Sequence, residues 1–195
     1  MCDFLDKRHY LGSVVQAGHH RTQQIEQSAL QTFQKENNNR IPLTLRSVFQ
    51  TIDLPGTYKC ARARYKTCPF ICSVEKLSGP ERSIEITDHF TCTSANVIYC
   101  ITCTLCKKLY IGETGRRLGH RFREHLRDVE KDDKNASKPV ARHFNLPNHS
   151  KQLMVVCGLS LHQGSTESRK TLEQKFIFQI GTLNPHGINE RFSFN

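Results

Sequence analysis

The stretch that most constrains this chain is residues 97–125. Val97 to Ile101 and Leu109 to Ile111 are short apolar runs of β type, each carrying a tyrosine, and they flank Cys103-x-x-Cys106. Bounded by Cys and Gly, such runs read as two strands of a hairpin. Tyr99 and Tyr110 are eleven residues apart, an offset that suits facing strands. Beyond Gly112, Leu118, Phe122, Leu126 and Val129 recur at intervals of four, four and three. That stripe predicts an amphipathic helix over residues 116–131. Arg121 and His125 are four apart on it and share a face.

The remaining C-terminal residues extend the pattern. Val140 to Phe144 read as a helical turn that stops near Pro147, and Leu153–Leu161 reads as a third strand. Ser165 is the expected N-cap of a final helix running to about Leu183. The order strand, strand, helix, strand, helix predicts an α+β class, with a small three-stranded antiparallel sheet flanked by helices. Upstream, Ile25, Ala29 and Phe33 are spaced by four, which predicts a helix over residues 21–36. Residues 1–54 thus read as a helical connector, 55–93 as a Cys-rich basic linker, and 94–195 as the principal domain.

Charge narrows the partners. The chain carries 28 Lys and Arg against 18 Asp and Glu, a net +10. Residues 97–195 hold 16 basic and 9 acidic side chains, and residues 1–96 hold 12 and 9. The excess therefore lies with the principal domain, where it suits a nucleic-acid partner. No run approaches the ~18 apolar residues of a membrane span. The first 20 residues lack a signal peptide's apolar core, so the nine cysteines are expected to be thiols or metal ligands.

Cys103-x-x-Cys106 at the hairpin tip and His143-x5-His149 beyond the basic helix together make a Cys2His2 set with spacings that suit a structural zinc. Upstream, Cys68-x-x-x-Cys72 also has a zinc-pair spacing, with Cys60, His89 and Cys92 as candidate partners. The alternative is that these are buried or free thiols.

Tyr99, Cys-x-x-Cys, Tyr110-Ile111-Gly112, Arg-x-x-x-His, the His pair, a helical Glu173 and Asn189, in that order, resemble the GIY-YIG endonucleases. The zinc-bearing domain at the C-terminus of Penelope-like retroelement polyproteins is the most similar type. The resemblance covers residues 94–195, and Val97 stands where the family motif has glycine. It implies a metal-dependent DNA endonuclease that nicks its target. Tyr99 would help activate water, as a general base if a cation or metal lowers its pKa from near 10. Tyr110 would hydrogen-bond around the nucleophile and phosphate, and Gly112 would let the backbone turn close to substrate. Arg121 would clamp the scissile phosphate, and His125 would shuttle a proton or donate to phosphate. Glu173 would bind catalytic Mg2+ (or Mn2+), and Asn189 would hydrogen-bond within the site. Lys107, Lys108, Arg116, Arg117, Arg123 and Arg127 would contact the DNA backbone. The resemblance also implies structural Zn2+ on Cys103, Cys106, His143 and His149, a nuclear location, and no small-molecule substrate. No polymerase-like aspartate pair is present, so the chain is expected to be a fragment of such an element or a protein derived from one.

Two rival classes remain. A zinc-stabilised nucleic-acid-binding module would keep charge and fold without cutting. A structural interaction protein using the cysteines of residues 55–92 would show no DNA affinity.

Overall fold

A run such as Val97-Ile98-Tyr99-Cys100-Ile101-Thr102-Cys103, apolar or neutral without alternation, predicts a strand covered on both faces. In the computed structural model it is the central strand, buried along its whole length. Residues 54–60, 66–131 and 137–190 are described. The helix expected over 21–36, nearly all of the connector, and the linker arginines Arg62 and Arg64 lie outside them.

The strands, in chain order, are β1 (Gly56–Tyr58), β2 (Lys76–Ser78), β3 (Ser83–Glu85), β4 (His89–Thr91), β5 (Val97–Cys103), β6 (Leu109–Thr114) and β7 (Met154–Leu161). The α-helices are α1 (Leu118–Glu130), α2 (Pro139–Phe144) and α3 (Thr166–Ile180). The main sheet has the order β6-β5-β7 and is antiparallel throughout. The α+β architecture expected from the sequence is therefore the one observed. Helix α1 buries Leu118, Phe122, Leu126 and Val129, the predicted stripe, together with His125. Helix α3 is capped at its start by Ser165, whose side chain accepts the Ser168 N–H at 3.1 Å, and at its end by Gly181 in the left-handed conformation.

Register decides how the two tyrosines meet. Tyr99 pairs with Gly112, and Tyr110 pairs with Ile101. Paired residues share a face, and so do residues two apart along a strand, so Tyr99 and Tyr110 are diagonal neighbours on one face. A Cβ at position 112 would lie 2.5 Å from Tyr99 Oη and 2.6 Å from its Cζ. Gly112 therefore makes room for the Tyr99 phenol, a different role from the close backbone turn expected of it.

Residues 54–93 are packed structure, where the sequence suggested a linker. β1 pairs in parallel with β4, and β2 pairs with β3 as a hairpin. Ile71, Leu77, Ile86, Phe90 and Cys92 are buried in the same core as β5 and α1. Thr57 Oγ1 accepts the Gly158 N–H at 2.8 Å. The Phe90 ring lies against Gly158, where a Cβ would stand 2.3 Å from it. Strands of three residues carry too little periodicity to be read from sequence. Among the described residues no helix is long and apolar enough to cross a membrane.

Candidate active site

The site is assembled where one face of the β5–β6 hairpin meets α1. Tyr99 has no exposed surface, and His125 is 5% exposed. Their four-residue helical spacing brings Arg121 and His125 to the same phenol: Tyr99 Oη lies 2.8 Å from His125 Nε2, and Arg121 Nε donates to it at 3.1 Å. A guanidinium nitrogen can only donate, so the phenol oxygen accepts from Arg121 and is free to give its own proton to the imidazole. Tyr110 packs edge-on to the His125 ring at 5.6 Å between centroids.

Burial sets the protonation states. It pushes the Tyr99 phenol well above the usual tyrosine value, aided by the neighbouring Tyr110, and outweighs the pull of Arg121. Tyr110 is pushed up to about 12, first by burial and then by the Glu173 carboxylate, with Arg121 opposing. His125 is lowered to about 3, by burial and then by Arg121. In the substrate-free protein both phenols are thus protonated and the imidazole is neutral. The lowered tyrosine pKa that direct general-base action would need is not provided by these side chains alone.

Arg121 is held from its other edge. Its Nη1 donates to Glu124 Oε2 at 3.0 Å, and Arg116 forks onto both Glu124 oxygens at 2.6 and 2.8 Å. These arginines, Arg116 first, take Glu124 down to about 2 against the effect of burial. Arg116, expected on DNA, braces Glu124 while its side chain stays exposed. Arg117, Arg123 and Arg127 are exposed, as backbone contacts require. Lys107 reaches the Thr104 carbonyl at 2.8 Å, across the hairpin tip, and Lys108 is half-buried there.

Glu173 stands on α3, half-buried and without an ion-pair partner among the described residues. Burial, then the Glu113 carboxylate, raises it to about 7. Its charge acts on both tyrosines, so it lies near them. A drying carboxylate with no counterion has the chemistry a divalent cation satisfies. Asn189 does not reach into the pocket. Its side chain pairs with both backbone groups of Ile111, accepting the N–H and donating to the carbonyl, each at 2.9 Å. Thr182 Oγ1 donates to the same amide oxygen at 2.8 Å. Asn189 thereby closes the free edge of β6 beside Tyr110.

Cys103, Cys106, His143 and His149 are brought together, with their ligand atoms all within 4.8 Å of one another. Cys106 Sγ lies 3.4 Å from His143 Nε2. His149 Nδ1 donates to the Pro147 carbonyl at 3.0 Å, which fixes the proton there and leaves the Nε2 lone pair. That Nε2 is buried with no hydrogen-bond partner, the sole such side-chain nitrogen or oxygen among the described residues. An orphaned imidazole nitrogen facing two thiols and a second imidazole fits Zn2+. Cys100 is outside the cluster, opposite Cys157 across β5 and β7.

Sequence reasoning missed Glu124, Glu113 and Arg169. Arg169 is 5% exposed, and its Nε donates to Glu113 Oε2 at 2.6 Å, which offsets the carboxylate closest in effect to Glu173. The available signals were the positions themselves: Glu113 directly follows Tyr110-Ile111-Gly112, and Arg169 precedes Glu173 by one helical turn.

Residues 95–177 match the family model of the GIY-YIG catalytic domain. Among solved structures, the catalytic domain of the homing endonuclease I-TevI is similar over 49% of this chain and 97% of its own, at 22% identity and a TM-score of 0.41. A mutant of the same intron endonuclease domain is similar over 50% of this chain and 94% of its own, at 23% identity and a TM-score of 0.42. No curated protein matches the chain.

Proposed function

We propose that the GIY-YIG catalytic domain at residues 95–177 acts as a DNA endonuclease that hydrolyses phosphodiesters in a divalent-metal-dependent reaction. The observation that carries this reading is the three-way contact of Tyr99, His125 and Arg121, with the Glu173 carboxylate near enough to act on both tyrosines. A module that only binds nucleic acid has no use for a buried phenol–imidazole pair beside a counterion-free carboxylate.

The residues divide the work. Arg121 has Nε on Tyr99 and Nη1 on Glu124, so Nη2 is the nitrogen left for a phosphate oxygen. Substrate binding must open the enclosed phenol to water; the attacking water then loses its proton to Tyr99 Oη as the Tyr99 proton passes to His125 Nε2. The water oxygen–phosphorus bond forms while the bond to the leaving oxygen breaks, and that oxygen takes its proton from solvent. The scissile phosphate brings negative charge next to His125, which raises the low imidazole pKa at the step where it must accept a proton. Tyr110 lines the phosphate side, and Glu124 is a positioning residue for Arg121. Mg2+ or Mn2+ on Glu173, when bound, supplies charge stabilisation to the phosphoryl and leaving oxygens.

Zn2+ on Cys103, Cys106, His143 and His149 ties the hairpin tip to α2 and the following loop, a structural role. The Cys pair between the two tyrosine strands, with the His pair following the basic helix, supports the finer reading of a Penelope-like retroelement type acting in the nucleus. Arg117, Arg123 and Arg127 would track the DNA backbone.

The test is nicking of supercoiled plasmid by zinc-loaded chain with Mg2+ or with EDTA, beside Glu173→Gln and Arg121→Ala. We expect relaxation only with Mg2+, reduced at least about a hundredfold in both variants. Salt-sensitive DNA binding without cleavage in any divalent metal would instead favour the binding module.

A further inference from the structure

A second thiol cluster lies away from the first. Cys60 Sγ is 3.5 Å from Cys68 Sγ, and Cys68 Sγ is 3.4 Å from Cys92 Sγ. All three sulfurs lie within 4.8 Å of one another. The chain delivers them from separate places. β1 and β4 run parallel, with Tyr58 opposite Thr91, so Cys60 and Cys92 leave the same end of that pair. Cys68 opens the 3-10 turn Cys68–Phe70. Three thiols cannot all be consumed by one disulfide, whereas three thiolates about 3.8 Å apart are what a tetrahedral ion with ~2.3 Å metal–sulfur bonds collects. The observed separations need only a small outward adjustment. Neither His89 nor Cys72 joins the trio: the His89 ring stacks on Tyr58 outside the group of converging ligand atoms, and Cys72 is engaged in a disulfide, a correction to the thiol or metal ligand expected of it.

The position of the trio gives it a consequence. The Gly119 N–H in the first turn of α1 donates to the Cys92 carbonyl at 2.9 Å, and the Leu118 N–H donates to the Ser94 carbonyl at 2.8 Å. Thr67 Oγ1 donates to the Gly119 carbonyl at 3.1 Å, and Phe70 packs on Phe122 at 5.4 Å between ring centroids. Residues next to each of two cysteines thus grip the start of the helix that carries Arg121 and His125.

We propose that Cys60, Cys68 and Cys92 hold a second zinc ion, separate from the Cys103–Cys106–His143–His149 set, which clamps β1, β4 and the 3-10 turn against the first turn of α1. A tetrahedral ion takes its fourth ligand from outside this trio. The site is structural and does not rest on the endonuclease reading.

The test uses the full chain, expressed with zinc and purified under reducing conditions. Metal content is measured on wild type, on Cys60→Ser/Cys68→Ser and on Cys103→Ser/Cys106→Ser, alongside iodoacetamide labelling of wild type read cysteine by cysteine. The expected result is about two zinc ions per wild-type chain and about one in each double variant. Cys60, Cys68 and Cys92 should resist alkylation until a chelator removes the metal. Unchanged zinc content in Cys60→Ser/Cys68→Ser would overturn the proposal. So would equal alkylation of these three thiols with and without chelator, or their recovery as a disulfide. The wild-type labelling decides the matter even if a double variant fails to fold. Loss of nicking with zinc content intact would count against the endonuclease reading alone.

Discussion

Tyr99, Gly112 and Glu173 show how single side chains make this pocket. Adding one carbon at Gly112 drives it against the Tyr99 hydroxyl at 2.5 Å, with the phenol enclosed on every side. Gly112→Ala should therefore cost about 1–3 kcal/mol in urea denaturation and depress cleavage, because the ring must shift off His125 and Arg121. An alanine variant of wild-type stability would show that the ring has room to move. Glu173 is held near 7, above its ordinary value, by burial and Glu113. Between the ordinary carboxylate value and about 7 the folded chain binds this proton and the unfolded chain does not, so the group makes stability fall as pH rises through that window. In Mg2+-free, zinc-loaded protein, Glu173→Gln should match wild type near pH 4.5 and exceed it at pH 8 by on the order of 1 kcal/mol. Thermal melts across that range check it, and a pH-independent difference would contradict the assignment. His125 has the opposite sign. Its lowered pKa means that the unfolded chain takes up the proton first, so its contribution to stability is full above about pH 6.5 and is lost as pH falls toward 3.

At the scale of elements, the site depends on one hairpin, one helix and one edge. Helix spacing made the shared face of Arg121 and His125 legible, and β-type runs made β5, β6 and β7 legible. The stripe Leu118, Phe122, Leu126 and Val129 predicted which side of α1 is buried. Contacts distant in sequence were not legible. The Arg169–Glu113 pair spans 56 residues, and the pairing of Asn189 with Ile111 spans 78. No local pattern encodes either. Asn189 was expected to hydrogen-bond in the active site; its amide completes the outer edge of β6, which no strand covers among the described residues. Asn189→Ala would leave the buried Ile111 N–H and carbonyl without partners. We expect a loss of about 2–3 kcal/mol in denaturant midpoint analysis, with weaker cleavage as a consequence. A variant as stable as wild type but inactive would return Asn189 to the catalytic set.

At the scale of the molecule, residues 54–93 and the principal domain share one core, so the N-terminal cysteines and the catalytic helix are mechanically joined. The sequence suggested a linker there because its strands are three residues long and its buried positions, Ile71, Leu77, Ile86 and Phe90, follow no period. Basic charge, the Cys2His2 cluster and the Tyr–His–Arg contact all suit the proposed cutting of DNA, and the phenol is the group on which that proposal turns. The most direct test is Tyr99→Phe, which keeps the ring that fills the core and removes only the hydroxyl shared by His125 and Arg121. Plasmid nicking in Mg2+ and DNA affinity would be measured on the same preparation. We expect cleavage reduced at least about a hundredfold with affinity essentially unchanged, and a chain that still folds with stability lowered by about 1–3 kcal/mol, since His125 and Arg121 lose a buried partner. Undiminished cleavage by the phenylalanine variant would contradict it and would take Tyr99 out of the reaction.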